Sequence, residues 1–163
     1  MSLIIKEFQP NDILQMTALW NDIVADGVAF PQDTPLDEAT AHTFFREQSL
    51  TAVAVDDLGE VLGLYILHPN NVGRCAHIAN ASYAVDKRCR GQKIGERLVK
   101  HSLSQAARLG FRIMQFNAVV ASNEYALRLY QKLGFTPLGV IKNGFRTKDG
   151  KFVDIIPHYI ELQ

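Results

Sequence analysis

The chain has 163 residues, 47% of them apolar, enough for one domain spanning 1–163 with a sizeable core and too few for two comfortable ones. Seventeen Lys plus Arg residues balance 17 Asp plus Glu, so no overall field would draw the protein to nucleic acid or an anionic membrane. The first apolar run ends at Lys6 and Glu7, far short of a signal-peptide core, and no stretch nears the roughly 20 apolar residues of a membrane span, so a soluble cytoplasmic protein is expected.

Residues 3–8 (L-I-I-K-E-F) read as a first strand, closed by Pro10-Asn11-Asp12, a helix-start signal. Ile13, Met16, Trp20 and Ile23 keep the helical interval as far as Asp26-Gly27. The segment V-A-F-P-Q-D-T-P-L has two prolines and no period and is expected as a loop, of the kind that often borders binding sites. Thr34 as N-cap with Pro35 at the first helical position predicts a second helix to about residue 47. T-A-V-A-V-D, a turn at D-D-L-G and E-V-L-G-L-Y-I-L-H then predict an antiparallel hairpin, and H-I-A-N-A-S-Y-A-V-D a third consecutive strand.

Directly after that strand, R-C-R-G-Q-K-I-G-E-R-L places two glycines and several basic residues at the start of a helical pattern. Apolar positions Ile94, Leu98, Leu103, Ala106 and Leu109 carry this helix from Gln92 to Gly110, expected to close it in a left-handed conformation. Free backbone amides at a helix N-terminus, unobstructed beside glycine, bind phosphate. R-I-M-Q-F-N-A-V-V follows as a strand, and Ser122 is expected to cap a helix ending at Gly134. T-P-L-G-V-I, a polar connection with a tight turn at Lys148-Asp149-Gly150-Lys151, and K-F-V-D-I-I-P-H-Y-I-E-L complete the order β-α-α-β-β-β-α-β-α-β-β. This is an α/β (α+β) pattern, buried most simply as a mixed central sheet flanked by helices. Cys75 and Cys89 fit neither a metal cluster nor a disulfide framework, so reduced thiols and no bound metal are expected. G-x-x-x-x-G-K-[ST] and G-x-G-x-x-G do not occur, which sets aside nucleotide kinases and dinucleotide oxidoreductases.

The strand ending at Val85, the R-G-Q-K-I-G loop, its helix, the strand around Phe116 and S-N-E-Y-A-L-R-L-Y-Q-K-L-G-F resemble the GNAT superfamily of N-acetyltransferases, most strongly over residues 80–137. The resemblance implies a mixed sheet with helices on both faces and acetyl-CoA as co-substrate. Arg90, Gly91, Gln92, Lys93, Ile94 and Gly95 match the family's Q/R-x-x-G-x-G/A signature at both ends and depart from it at Lys93, where glycine is usual. By that likeness the amides of residues 90–96, through Glu96, hold the pyrophosphate, and Lys93 offers its own amide if its φ is helical. The backbone of Ala84 and Val85 receives the pantetheine arm and polarises the thioester carbonyl, Asn123 holds the arm, and Tyr130 donates a proton or hydrogen bond to the departing thiolate. Cys89 stands beside the phosphate loop and is not expected to act as nucleophile.

The general base stays open between His77, Asp154 and an ordered-water relay. H-I-A-N-A-S-Y-A-V with M-Q-F-N-A-V-V-A-S-N also looks like the fungal acetyltransferases of azetidine-2-carboxylate and related proline analogues, which implies Asn80 and Asn117 as holders of an acceptor carboxylate. The expected activity is acetyl transfer to a small-molecule amine by direct attack in a ternary complex, with a homodimer implied by family likeness. Two alternatives are acetylation of a protein N-terminus, which requires the 27–35 loop to leave a groove open, and a non-catalytic acyl-CoA sensor.

Overall fold

The computed structural model describes residues 2–163. A seven-stranded sheet of order β1-β2-β3-β4-β5-β9-β6 carries the fold, and β7 and β8 form a separate two-stranded ribbon. The main strands are β1 (Ile4–Glu7), β2 (Leu50–Val55), β3 (Val61–Pro69), β4 (Ile78–Val85), β5 (Ile113–Phe116), β6 (Thr136–Pro137) and β9 (His158–Glu161), and the ribbon is β7 (Ile141–Arg146) with β8 (Phe152–Ile155). Helices α1 (Ile13–Asp26) and α2 (Glu38–Arg46) cover one face, and α3 (Ile94–Arg108) and α4 (Glu124–Leu133) the other. The mixed α/β architecture expected from the sequence is therefore present.

Alternation along the strands builds both cores. Val53 and Val55 of β2, Leu64 and Ile66 of β3 and Ala84 of β4 face α1 and α2, packing with Met16, Trp20 and Phe45. Ala52, Ala54, Tyr65, Leu67, Ala79 and Ala81 face α3, meeting Ile94, Leu98 and Val99. Small residues on β4 let α3 approach closely, and Gly63 on β3 completes that approach. A Cβ there would lie 2.9 Å from Leu98 Cδ1 and 3.2 Å from both Ile94 Cγ2 and the Ala84 carbonyl.

Among the described residues β4 and β5 are the one parallel pair, and they pair only at Ile78–Ile113 and Ala79–Met114. β9 pairs antiparallel with β5 along all four residues of the latter. Past Ala79 the β4 backbone therefore has a ladder partner only on its β3 side.

Several sequence expectations are corrected. The second helix begins at Glu38, not after Thr34 and Pro35, because the Asn21 side chain takes both the amide and the carbonyl of Leu36 (2.8 and 2.9 Å) and holds this stretch as loop. Asp37 is the true cap, accepting from the Thr40 amide at 2.8 Å while donating its own amide to Thr40 Oγ1 at 2.9 Å. The helix of the phosphate loop starts at Ile94 rather than Gln92. Asn123, not Ser122, caps α4. The strand read through Val120 stops at Phe116, with only a bridge from Val120 to Ile155 beyond it. The closing segment divides at Ile156-Pro157, where proline offers no N–H, into β8 and β9, and T-P-L-G-V-I divides between β6 and β7, so the last two expected strands become four.

Because Gly63 sets the distance between β3 and the first turns of α3, Gly63→Ala is expected to cost about 1–2 kcal/mol and lower Tm by roughly 2–6 °C in a thermal melt. An unchanged Tm would show that Leu98 yields freely and that this contact does not set the helix position.

Candidate active site

The β4–β5 parting opens a cleft of about 460 Å³ between the β4 edge, the loop after it and α4. Of the expected cofactor residues, Val85, Arg90, Gly91, Lys93, Ile94, Gly95 and Asn123 line it together with Tyr130. Ala84 is fully buried on the opposite face, toward α1 and α2, and its backbone faces Leu64 of β3, so the expected role of Ala84 at the edge is corrected: the backbone groups turned to the gap are those of Tyr83 and Val85. Gln92 and Glu96 do not line the cleft. The Glu96 carboxylate instead turns to Lys100 and Lys132, at 2.9 Å from each ammonium, which joins α3 to α4. Hydrogen bonds and charge from those lysines hold its pKa down at about 2. A role for Glu96 in the cleft is thus confined to its backbone amide.

The amides of Ile94, Gly95 and Glu96 open α3 and have no residue four positions back in the helix to accept them; the Arg97 amide is the first to close on Lys93, at 3.1 Å. Two cations, Arg90 and Lys93, and no carboxylate line this cleft. Amides free at the helix start, the positive end of a 15-residue helix and a lining with cations but no carboxylate are chemically suited to an anion such as phosphate. The loop reaches the helix start through two left-handed residues, Gly91 (φ +83°) and Lys93 (φ +61°). The sequence expectation of a helical φ at Lys93 is corrected: the position demands the left-handed conformation that glycine adopts without cost, which is the physical reason glycine suits it.

Tyr125, which the sequence analysis does not single out, joins the lining. It is 62% exposed, and its hydroxyl lies 3.7 Å from where a Cβ on Gly95 would stand. Its signal in the sequence was an aromatic at the solvent side of the first turn of a helix that also carries Asn123 and Tyr130. Cys89 is buried with its thiol pKa raised, first by desolvation and then by Asp86, so it stays protonated and is no nucleophile.

A second cleft of about 200 Å³ adjoins the first. Tyr83, Asn123, Ala126 and Tyr130 line both, so a molecule in one meets a molecule in the other there. Asn80, Ser82 and Asn117 form its polar wall, and Val28, Ala29, Phe30 and Pro31 of the 27–35 loop form the apolar one. Phe30 anchors that loop by packing on Trp20, ring centroids 4.3 Å apart. None of the lining side chains carries a charge.

Two tyrosines stand at the junction, but only one is free to act. The Tyr83 hydroxyl is 2.6 Å from Ser102 Oγ, which donates to the Val99 carbonyl, so Tyr83 is tied to α3. Tyr130 sits against Phe116 and Phe135 (centroids 4.8 and 5.3 Å), and its hydroxyl has no hydrogen-bond partner among the described residues. Burial pushes its pKa well above the usual phenol value, so it remains a proton-bearing donor at neutral pH. Asn123 caps α4 by accepting from the Ala126 amide at 3.1 Å, which leaves its Nδ2 hydrogens available.

Neither proposed side-chain base reaches the junction. His77 is exposed beyond the start of β4, its carbonyl taking the Arg112 amide at 2.9 Å. Asp154 lies on the ribbon, where its Oδ1 accepts from the Asn143 amide at 3.0 Å. Among the described residues no group of His, Cys, Asp and Glu gathers as for a metal ion, and no helix is long and apolar enough to cross a membrane.

The sequence profile of the acetyltransferase (GNAT) family matches residues 16–135. The N-acetyltransferase aca1 of Schizosaccharomyces pombe is 37% identical over 99 residues, 61% of this chain, and the match spans 47% of that protein, about half its length. An L-methionine sulfoximine/L-methionine sulfone acetyltransferase of Pseudomonas aeruginosa is 27% identical over 95% of this chain and 92% of its own. The solved structure of a GCN5-related N-acetyltransferase from Kribbella flavida superposes with a TM-score of 0.90 at 32% identity, covering 98% of each chain.

Replacing the strained loop residue isolates its backbone cost. Lys93→Gly is expected to gain about 0.5–1 kcal/mol, a rise of roughly 1–4 °C in Tm. A lower Tm on melting would show that the lysine side chain contributes more than its left-handed backbone costs.

Proposed function

The chain belongs to the acetyltransferase (GNAT) family, an acyltransferase enzyme by that membership, and from this premise we propose that it transfers acetyl from acetyl-CoA to the amine of a small amino-acid-like acceptor, a proline analogue being the first candidate. The observation that carries this reading is the meeting of two clefts at Tyr130, one with an anion-suited helix start and an open strand edge, the other small, uncharged and walled by carboxamides.

The residues present fit acetyl-CoA. Amides of residues 91 and 93–96, with Arg90 and Lys93, would hold its pyrophosphate, the free β4 edge at Tyr83 and Val85 its amide-rich arm, and Asn123 Nδ2 a carbonyl of that arm. When bound, acetyl-CoA supplies the thioester that the acceptor amine attacks directly, with CoA thiol leaving. A backbone N–H at the strand end polarises the carbonyl, and Tyr130 hydrogen-bonds the sulfur. Its raised pKa favours hydrogen-bond donation over full transfer of its proton.

The acceptor must arrive as a free amine. With no ionisable side chain in the smaller cleft other than the two tyrosines, desolvation there disfavours the ammonium, and water carries the proton away. Residues 28–31 of the 27–35 loop wall the smaller cleft, whose volume of about 200 Å³ suits a compact acceptor. Asn80 and Asn117, both lining the smaller cleft, would meet the acceptor's carboxylate through N–H groups, adding no positive charge against the amine. The Pseudomonas relative, named for acetylation of two amino-acid analogues, agrees with an acceptor of this class.

Thiol release from acetyl-CoA, measured against azetidine-2-carboxylate, other amino acids, polyamines and short peptides, should depend on a small amino-acid acceptor. Release with peptides alone would overturn the acceptor reading, and no release with any amine would favour a sensor. For the preferred acceptor, kcat/KM is expected to climb about tenfold per pH unit from about pH 6 to about pH 9, following the free amine. A plateau near neutrality would reveal a side-chain base. Tyr130→Phe should lower kcat about tenfold or more while acetyl-CoA affinity, by calorimetry, stays within about twofold; equal loss in both would remove Tyr130 from the leaving-group role.

A further inference from the structure

Asn80 and Asn117 stand on opposite sides of the gap where β4 and β5 cease to pair, and one side chain spans them. Asn70, immediately after β3, accepts at its Oδ1 from Asn80 Nδ2 at 3.2 Å and from Asn117 Nδ2 at 2.6 Å. A carboxamide oxygen has two lone pairs, so these two donors saturate it. The Asn70 backbone is itself fixed, its amide donating to the Ile78 carbonyl at 2.7 Å, at the residue where β4 begins to pair with β5.

The remaining oxygens are also committed. Asn80 Oδ1 accepts from the Ala81 amide at 2.7 Å, a backbone donor that sets which end of the Asn80 carboxamide is oxygen. Its nitrogen therefore faces Asn70, which must present oxygen in return. Asn117 Oδ1 accepts from Gln115 Nε2 at 3.1 Å. With every oxygen of the cluster accepting, each of Asn80 and Asn117 has one N–H left to offer a ligand, and both line the smaller cleft.

We propose that Asn70 is the positioning residue of the acceptor site: its single oxygen orients two carboxamides from separated strands so that each keeps one N–H to donate to the site, and thereby selects an acceptor bearing a carboxylate. The inference rests on the acceptor reading above and adds a residue outside the cleft lining. It explains how Asn117, exposed and beyond the end of β5, holds a defined orientation without strand pairing.

The test uses the full chain, ¹⁵N-labelled and saturated with CoA, titrated with azetidine-2-carboxylate and with the uncharged azetidine-2-carboxamide. In the free protein, Asn70→Ala should move the side-chain NH₂ resonances of both Asn80 and Asn117, while Asn70→Asp, which keeps an oxygen acceptor, should largely preserve them. The acid, and not the carboxamide, should shift those resonances in the wild type, and Asn70→Ala should weaken acid binding by about tenfold with CoA affinity within about twofold. Unmoved NH₂ resonances in Asn70→Ala would overturn the proposal. So would unchanged acid binding in Asn70→Ala where Asn80→Ala and Asn117→Ala both weaken it, an outcome that leaves the carboxylate reading standing. Equal binding of acid and carboxamide by the wild type would overturn carboxylate selection, while the free-protein resonances would still decide whether Asn70 orients the pair.

Discussion

Two strands that pair for two residues and then part are the constraint on which the rest of this molecule depends. β5 makes four residue pairs with β9 and only two with β4, so the sheet opens on the β4 side. An unpaired strand edge inside a sheet is ordinarily costly because its amides and carbonyls lack partners. Here it becomes the wall of a cleft where an amide-rich ligand can complete the ladder. Phe116, Phe135 and Tyr130 fill the space beside the gap, with Phe116 and Phe135 stacked at 4.9 Å, and Tyr130 lines the opening.

Charge is partitioned between the two clefts. The larger one gathers cations and the positive end of α3, and the acidic group of that first turn, Glu96, is drawn off to Lys100 and Lys132. Its removal keeps a negative charge away from the positive end of α3, and the same ion pairs fasten α3 to α4, the two helices that flank this cleft. No charged side chain lines the smaller cleft.

Several residues serve structure and site at once, and in each case chemistry allows the division. Asn123 spends its oxygen on the α4 cap and keeps its nitrogen. Tyr83 and Tyr130 border the same junction, yet a serine on α3 removes the first from play. Lys93 accepts a left-handed backbone in order to turn amides toward one point, the kind of local strain that binding loops carry.

Much of this was legible in the sequence because it rests on local chemistry. Glycines 27, 110 and 134 end their helices in left-handed conformations, strand alternation separates the two core faces, and the R-G-Q-K-I-G loop opens a helix as its composition implies. Helix starts were misplaced where a distant side chain intervened: Asn21 holds Leu36 in a loop although Thr34-Pro35 is a good local start. Which of two tyrosines is free, that His77 and Asp154 lie away from the junction, and that Asn70 joins Asn80 to Asn117 were decided only by tertiary structure. The physical reason is that caps, turns and strand faces depend on neighbours a few residues away, whereas a hydrogen bond between residues 70 and 117 exists only once three strands have brought their ends together.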